Sequence, residues 1–320
     1  MAIIGTDIAE AQRWLDAGNV VGMPTETVYG LAGNALNPEA VLRIFKVKNR
    51  PAFDPLIVHT SSLDRVADFT SEFPPALRAL AEVFWPGPLT LLLPKAESVP
   101  DLVTSGLTTV AVRVPRHPLT RQLLETLPYP LAAPSANPFG YISPTMATHV
   151  QDQLGDQVPY ILDGGPATVG LESTILGLEE GKLVVYRLGG LTLDMVEEVA
   201  GTSLKVRPHS TSNPAAPGML KSHYAPRIPV LLTDPGELLS TNKASEIGVL
   251  AFEEADDRIP AENQVILSTS GDLDEAARNL FGALRQLDQK PVSIIAAQPV
   301  PDKGLGKAIN DRLRRAAAPV

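Results

Sequence analysis

Between Gly18 and Gly189 the apolar side chains come in short runs, and this spacing narrows the choice of folds more than any other feature. The runs GNVVGM, LIVHT, LTLLLP, TVAVRVP, YPLAAPSA, YILDGG, STILGL and LVVYRLG are set off by glycine, proline and small polar residues, and they read as strands. Helical patterns with their own start and stop signals lie among them. DIAEAQRWLDAG predicts a helix capped by Asp7 and ended by Gly18. NPEAVLRIFKVKN predicts another, with Asn37 as cap, Pro38 in the first helical position and Pro51 beyond the end. SPTMATHVQDQLG repeats that arrangement, with Ser143 as cap and Pro144 following. The alternation predicts an α/β domain built on a large, twisted mixed sheet with helices.

The pattern breaks at Arg207. RPHSTSNPAAPGMLKSHYAPRIP is proline-rich and lacks periodicity, which reads as a linker. A structureless stretch of that length inside a compact protein is usually a functional lid or a tether. After it come the strands IPVLLT, EIGVLAF and NQVILS, the helix DLDEAARNLFGALRQLD, the strand VSIIAAQ and the helix GLGKAINDRLRRAA. That order predicts a smaller, doubly wound Rossmann-like α/β domain. The expected division is therefore 1–206, a linker or lid at 207–227, and 228–320; a length of 320 residues suits two domains.

Composition excludes several classes. The chain contains no cysteine, so disulfides, thiolate catalysis and cysteine-ligated zinc are ruled out. Its five histidines are scattered and suggest no metal cage. No basic segment followed by an apolar one opens the chain, and no apolar run approaches membrane length, so the expectation is a cytoplasmic protein without membrane partners. Residues 1–206 carry −8 of the net charge of −9, which argues against broad electrostatic binding to nucleic acid. It also makes a local basic cluster there more informative.

Four stretches carry candidate chemistry. MPTETVYG packs Thr25, Thr27, Tyr29 and a carboxylate into one turn after a strand. Hydroxyls satisfying local backbone groups would account for it, as would a site that orients a small polar molecule. FKVKNRPAFDP places Lys46, Lys48 and Arg50 where a helix ends; cations there complement the helix dipole, and Lys48 with Arg50 also suits phosphates. The Arg50-Pro51 step favours extended backbone, which lets Lys48 and Arg50 share a face. PSANPFGYISPT puts Ser135 and Asn137 after a strand, where open α/β sheets commonly bind ligands, and Ser143 at a helix start. Finally, Thr109, Arg113, Ser173 and Arg187 are polar groups at or in apolar strands, where an arginine must pair or reach solvent.

Taken in order, PTETVYGL, KNRP…PLIVH, WPGPLT, RVP, PSAN…SPT, STI and RLGG resemble the L-threonylcarbamoyladenylate synthase family with its YrdC-type domain. PGMLKSHYAP and GLGKAINDRLRRAA resemble the linker and C-terminal domain of its longer, two-domain branch. The resemblance implies formation of threonylcarbamoyl-AMP and pyrophosphate from L-threonine, bicarbonate and ATP, for threonylcarbamoyladenosine modification of tRNA. It implies that Lys48 and Arg50 serve catalysis. Thr27 would contact threonine, Thr25 and Tyr29 would shape the carbamate end, His59 and Ser173 would join the threonine site, and Arg113 would hold its carboxylate. Arg50, Thr109, Ser135, Ser143 and Arg187 would contact ATP, with Asn137 in support and Tyr224 arriving from the linker.

Two positions depart from the family pattern. Asn49 stands where a small residue is common. Asp54 stands where asparagine is common, and a carboxylate beside phosphates repels them unless a metal intervenes. The implied metal is Mg2+ held mainly by the ATP phosphates, which needs few protein ligands. Implied downstream partners are proteins that transfer the threonylcarbamoyl group to tRNA; direct tRNA binding is left open. The alternative reading is a non-catalytic RNA- or nucleotide-binding module. The acidic balance and the lack of interleaved aromatic and basic residues count against it.

Overall fold

The structure, a computed structural model, describes residues 1–207, 216, 217, 219 and 222–318. Among these, eleven strands form one mixed sheet. Its order is Ile3–Gly5, Tyr160–Leu162, Val21–Met23, Gly30–Asn34, Leu131–Ala132, Ile57–His59, Thr109–Arg113, Leu89–Pro94, Thr174–Glu179, Lys182–Arg187 and Lys205–Val206. Ile57–His59 runs parallel to Thr109–Arg113, whereas Leu89–Pro94 runs antiparallel to it. The middle strands are buried on both faces, which explains why their sequences are continuous apolar runs rather than alternating ones.

Two helices form where the sequence signals them. Asp7 caps Ile8–Asp16 by accepting from the N–H groups of Ala9 and Glu10, at 2.9 and 3.4 Å. Asn37 caps Pro38–Lys48 in the same way, with Pro38 first in the helix. That helix ends at Asn49, whose φ of 51° is left-handed, a conformation asparagine tolerates better than most residues. The left-handed turn at Asn49 lies between Lys48, which bonds the carbonyls of Ser135 and Asn137, and Arg50, which bonds those of Asp54 and Pro55. One expectation is corrected. Ser143 caps no helix: the helix is Ala147–Leu154, with Met146 at its cap and no side-chain bond there. The Ser143 hydroxyl instead donates to Glu172 Oε1 at 2.6 Å, a stronger pull than an exposed N–H.

Beyond the linker, Val230–Leu232, Ile294–Ala297, Ile247–Ala251 and Gln264–Ile266 form a four-stranded parallel sheet in that order. The helices Leu273–Leu287 and Gly306–Ala316 cover it. The two sheets do not merely sit side by side. Val28, Ile142 and Leu171, from loops of the larger sheet, share one buried apolar cluster with Tyr224, Phe281, Leu284 and Leu305. An interface of this kind resembles a domain core and holds the second unit firmly against the first. No helix among the described residues is long and apolar enough to cross a membrane.

Candidate active site

The central strands of the large sheet end around a cavity. Thr25 and Thr27 enter it from the turn that follows Val21–Met23. The Thr25 hydroxyl donates to Val28 O at 2.6 Å, accepts from the N–H groups of Thr27 and Val28, and lies 2.8 Å from the Thr27 hydroxyl. The hydroxyls of this turn organise its backbone and also face the cavity. Glu26, between them, turns the other way.

His59 and Arg113 are register partners on adjacent parallel strands, and both line the cavity. Three acceptors hold Arg113: Gly87 O at 3.2 Å, Thr27 Oγ1 at 2.8 Å and Glu26 Oε1 at 2.6 Å. Glu26 also accepts from the Arg116 N–H at 3.0 Å. Burial pushes the Glu26 carboxyl up, but the Arg113 guanidinium outweighs it and holds the group below its usual range. His59 Nδ1 lies 3.2 Å from Ile57 O, which favours a proton on Nδ1 and a lone pair on Nε2. Burial first, and Arg113 second, push the His59 pKa down to about 3, so the ring is neutral at pH 7.

On the other side, Arg187 donates to Ser173 O at 2.9 and 3.0 Å and to Ser173 Oγ at 3.1 Å. Burial pulls the Arg187 pKa to about 10, still charged at pH 7. Ser135 and Arg50 complete this wall. Arg50 is oriented by Pro55 O at 2.8 Å and by an ion pair with Asp54 at 2.9 Å. Asp54 is thus buried behind Arg50 as its counter-charge and does not line the cavity.

Lys48 lies behind the same wall. Its ammonium donates to the carbonyls of Ser135 and Asn137, each at 2.5 Å, and so ties the Ser-x-Asn turn to the helix. Burial, then Arg50, pushes its pKa well below the usual lysine value. Asn137 is buried and donates to Pro138 O and Tyr141 O.

From the linker, Pro217, His223 and Tyr224 close one side of the cavity. Tyr224 has a φ of 68°, a costly conformation for an aromatic residue. It is held by Phe281 with ring centroids 5.5 Å apart, and by Arg315 and Arg312 over its face at 4.6 and 5.0 Å. Ala225 N donates to Gly140 O at 2.9 Å, which pins the linker to the loop after Asn137. Residues 208–215, 218, 220 and 221 of the linker lie outside the described residues.

Besides Lys48, Asp54 and Asn137, three more expected residues stand outside the lining. The Tyr29 hydroxyl donates to Gly165 O at 2.7 Å and accepts from Gly164 N, away from the cavity lining. Thr109 sits at the far end of the strand that carries Arg113, on the same face by the two-residue alternation but outside the lining. Ser143 reaches the lining only through Glu172.

Residues 13–189 match the family model described as Sua5_yciO_yrdC, Telomere recombination, and residues 191–318 match the one described as Threonylcarbamoyl-AMP synthase, C-terminal domain. Threonylcarbamoyl-AMP synthase of Pyrococcus abyssi is 42% identical, covering 96% of this chain and 93% of that protein. The chain belongs to the threonylcarbamoyl-AMP synthase family. The Bacillus subtilis threonylcarbamoyl-AMP synthase is 39% identical over 97% of this chain and 92% of its own length. The crystal structure of P. abyssi Sua5 complexed with L-threonine superposes with a TM-score of 0.90 at 39% identity, covering 99% of this chain and 97% of that one. Threonylcarbamoyl-AMP synthases are nucleotidyltransferases, so the chain is an enzyme and not a non-catalytic binding module.

Sequence reasoning missed the supporting charges of this threonylcarbamoyl-AMP synthase fold. Glu26 was visible within MPTETVYG but carried no role, and Glu172 was passed over beside Ser173 in LESTIL. Arg285, Arg312 and Arg315 lie on amphipathic helices where arginine ordinarily faces water. Their burial was the missing signal, and only the packing of two domains supplies it.

Proposed function

We propose that the cavity binds L-threonine, bicarbonate and ATP together and forms threonylcarbamoyl-AMP with release of pyrophosphate, for transfer to tRNA by downstream proteins. The observation that carries this reading is the pairing in one cavity of two polar ends, Thr27–His59–Arg113 and Arg50–Ser135–Arg187. The first end suits an amino acid. Arg113 is held so that its guanidinium faces a carboxylate, the threonine hydroxyl finds Thr27, and neutral His59 offers a lone pair to the amine. Ser173, bonded to Arg187, also lines the cavity.

The chemistry asks little of a general base. The threonine amine attacks the carbon of carbon dioxide and loses a proton, or that of bicarbonate with release of water, to give a carbamate whose oxygen is already anionic. That oxygen attacks the α-phosphorus of ATP, a P–O bond forms, and pyrophosphate leaves with its electron pair. Such a step needs in-line placement and neutralised phosphate charge. Arg50 and Arg187 supply charge from the lining, and Lys48 fixes the Ser135–Asn137 backbone through its bonds to both carbonyls. Asn137 supports the turn that presents Ser135. The linker residues His223 and Tyr224 exclude water from two hydrolysis-prone groups, the carbamate and the mixed anhydride.

Magnesium fits as an ion that arrives on the ATP phosphates. Among the described residues no group of three or more acidic or histidine side chains is arranged to hold a metal. The carboxylates nearest the cavity, Glu26, Asp54 and Glu172, are each paired with an arginine. Bound to ATP, the ion offsets phosphate charge. An assay of pyrophosphate release with each substrate omitted in turn tests the proposal. Release that needs ATP, L-threonine and bicarbonate together supports it, and release without threonine contradicts it.

A further inference from the structure

The charged side chains that line the cavity, among the described residues, are Arg50, Arg113, Arg187 and one carboxylate, Glu172. Three guanidiniums suit a cavity for ATP and an amino-acid carboxylate. A bare carboxylate does not: it repels a triphosphate, and burial weakens the screening that would soften the repulsion.

The charge that offsets Glu172 comes from the other domain. Arg312, on the helix Gly306–Ala316, is fully buried and donates through Nε to Glu172 Oε2 at 2.8 Å. The other carboxylate oxygen accepts from Ser143 at 2.6 Å. Arg312 is itself fixed by Leu188 O at 2.9 Å and by Asp311 at 2.7 Å. Burial pushes the Glu172 carboxyl up, but Arg312 and Arg187 outweigh it, and the group stays ionised at neutral pH.

We propose that Arg312 is a positioning residue for ATP: by pairing with Glu172 across the domain interface, it allows a carboxylate to stand in the cavity wall and makes the first domain's affinity for ATP depend on the second. The proposal rests on the reading of this cavity as an ATP site. Its consequence is specific. Loss of Arg312 exposes ATP to an unpaired carboxylate, and removal of that carboxylate cures the defect. A role limited to holding the helix in place predicts that defect and cure follow the melting temperature and fall equally on ATP and L-threonine.

The test is calorimetric titration of ATP into the full-length chain, beside steady-state KM values for ATP and L-threonine. Arg312→Met is expected to weaken ATP binding about tenfold or more while leaving the KM for threonine within about threefold. The double variant Glu172→Gln with Arg312→Met is expected to regain most of the lost affinity, to within about threefold of the native chain. Unchanged ATP affinity in Arg312→Met, or a defect that Glu172→Gln does not repair, overturns the proposal. If Arg312→Met does not fold, Glu172→Gln alone decides, because Arg312 then keeps Asp311 and Leu188 O. ATP binding about threefold tighter, more so at low salt, supports the proposal; unchanged or weaker binding overturns it. A native chain that binds no ATP removes the ATP reading itself, a distinct result.

Discussion

The carboxylate of Glu26 meets the guanidinium of Arg113 at 2.6 Å beneath the cavity, with side chains only 6% and 4% exposed. Breaking such a pair from one side leaves an uncompensated buried charge and costs about 3–5 kcal/mol. Glu26→Gln is therefore expected to lower stability in urea by about that amount. The carboxylate of L-threonine then becomes the partner for Arg113, so threonine should raise the melting temperature of Glu26→Gln more than that of the native chain. Equal shifts in the two proteins would mean that Arg113 does not meet the substrate.

Arg50 reaches the cavity while Asp54 holds it from behind at 2.9 Å. Arg50→Ala should lower turnover by about a hundredfold or more, the scale of losing one preorganised charge-stabilising group. The variant also leaves Asp54 without this partner, so Arg50→Ala combined with Asp54→Asn serves as the control. Pyrophosphate release should stay low in both, with circular dichroism unchanged in the double variant. Activity restored by Asp54→Asn would assign Arg50 a purely structural place.

His59 gives stability a pH dependence of definite sign. Its native pKa is pushed down to about 3, by burial and then by Arg113, with Glu26 opposing from the other side of that guanidinium. An unfolded histidine titrates near 6.5, so between roughly pH 6.5 and pH 3 the unfolded chain binds a proton that the native chain refuses. Stability must therefore fall as pH drops from 7 to 5, by about 2 kcal/mol from this ring alone. Urea unfolding at the two pH values should show a smaller drop for His59→Gln than for the native chain. An equal drop would place the protonation elsewhere.

Val28, Ile142 and Leu171 are covered by the C-terminal domain, and Glu172 is paired with Arg312. Truncation after residue 206 uncovers the first three and strands the fourth. The truncated chain should keep strand and helix signals in circular dichroism, melt at a lower temperature, and release pyrophosphate about tenfold more slowly or worse. Full activity in the truncated chain would reduce the second domain to an appendage.

The sequence made the strand runs and the capped helices legible because each of those signals is local. Asp7, Asn37 and Pro38 act within their own turn, and no distant contact overrides them. Strands that escaped, such as Gly30–Asn34 in GLAGN and the edge strands Ile3–Gly5 and Lys205–Val206, are too short or too rich in glycine to show a period of two. The helices Pro75–Phe84, Pro118–Thr126 and Leu193–Ala200 carry helical patterns that drew no notice beside the strand runs.

The same division holds in the site. Thr25, Thr27, His59, Arg113, Ser135, Ser173, Arg187 and Tyr224, far apart in sequence, line one cavity. Ser143 misled because a serine before a proline signals a cap locally, and a carboxylate 29 residues further along won its hydroxyl. Arg312 was illegible because its partner lies 140 residues away in another domain.

The central claim is that a carbamate oxygen becomes bonded to the α-phosphorus of ATP. Incubation with L-threonine, bicarbonate labelled at carbon and ATP labelled at the α-phosphorus measures this directly, with products separated at once to limit hydrolysis. One product should carry both labels in equal amounts, matched by the pyrophosphate released. AMP labelled only at phosphorus, with no product carrying the bicarbonate carbon, would contradict it.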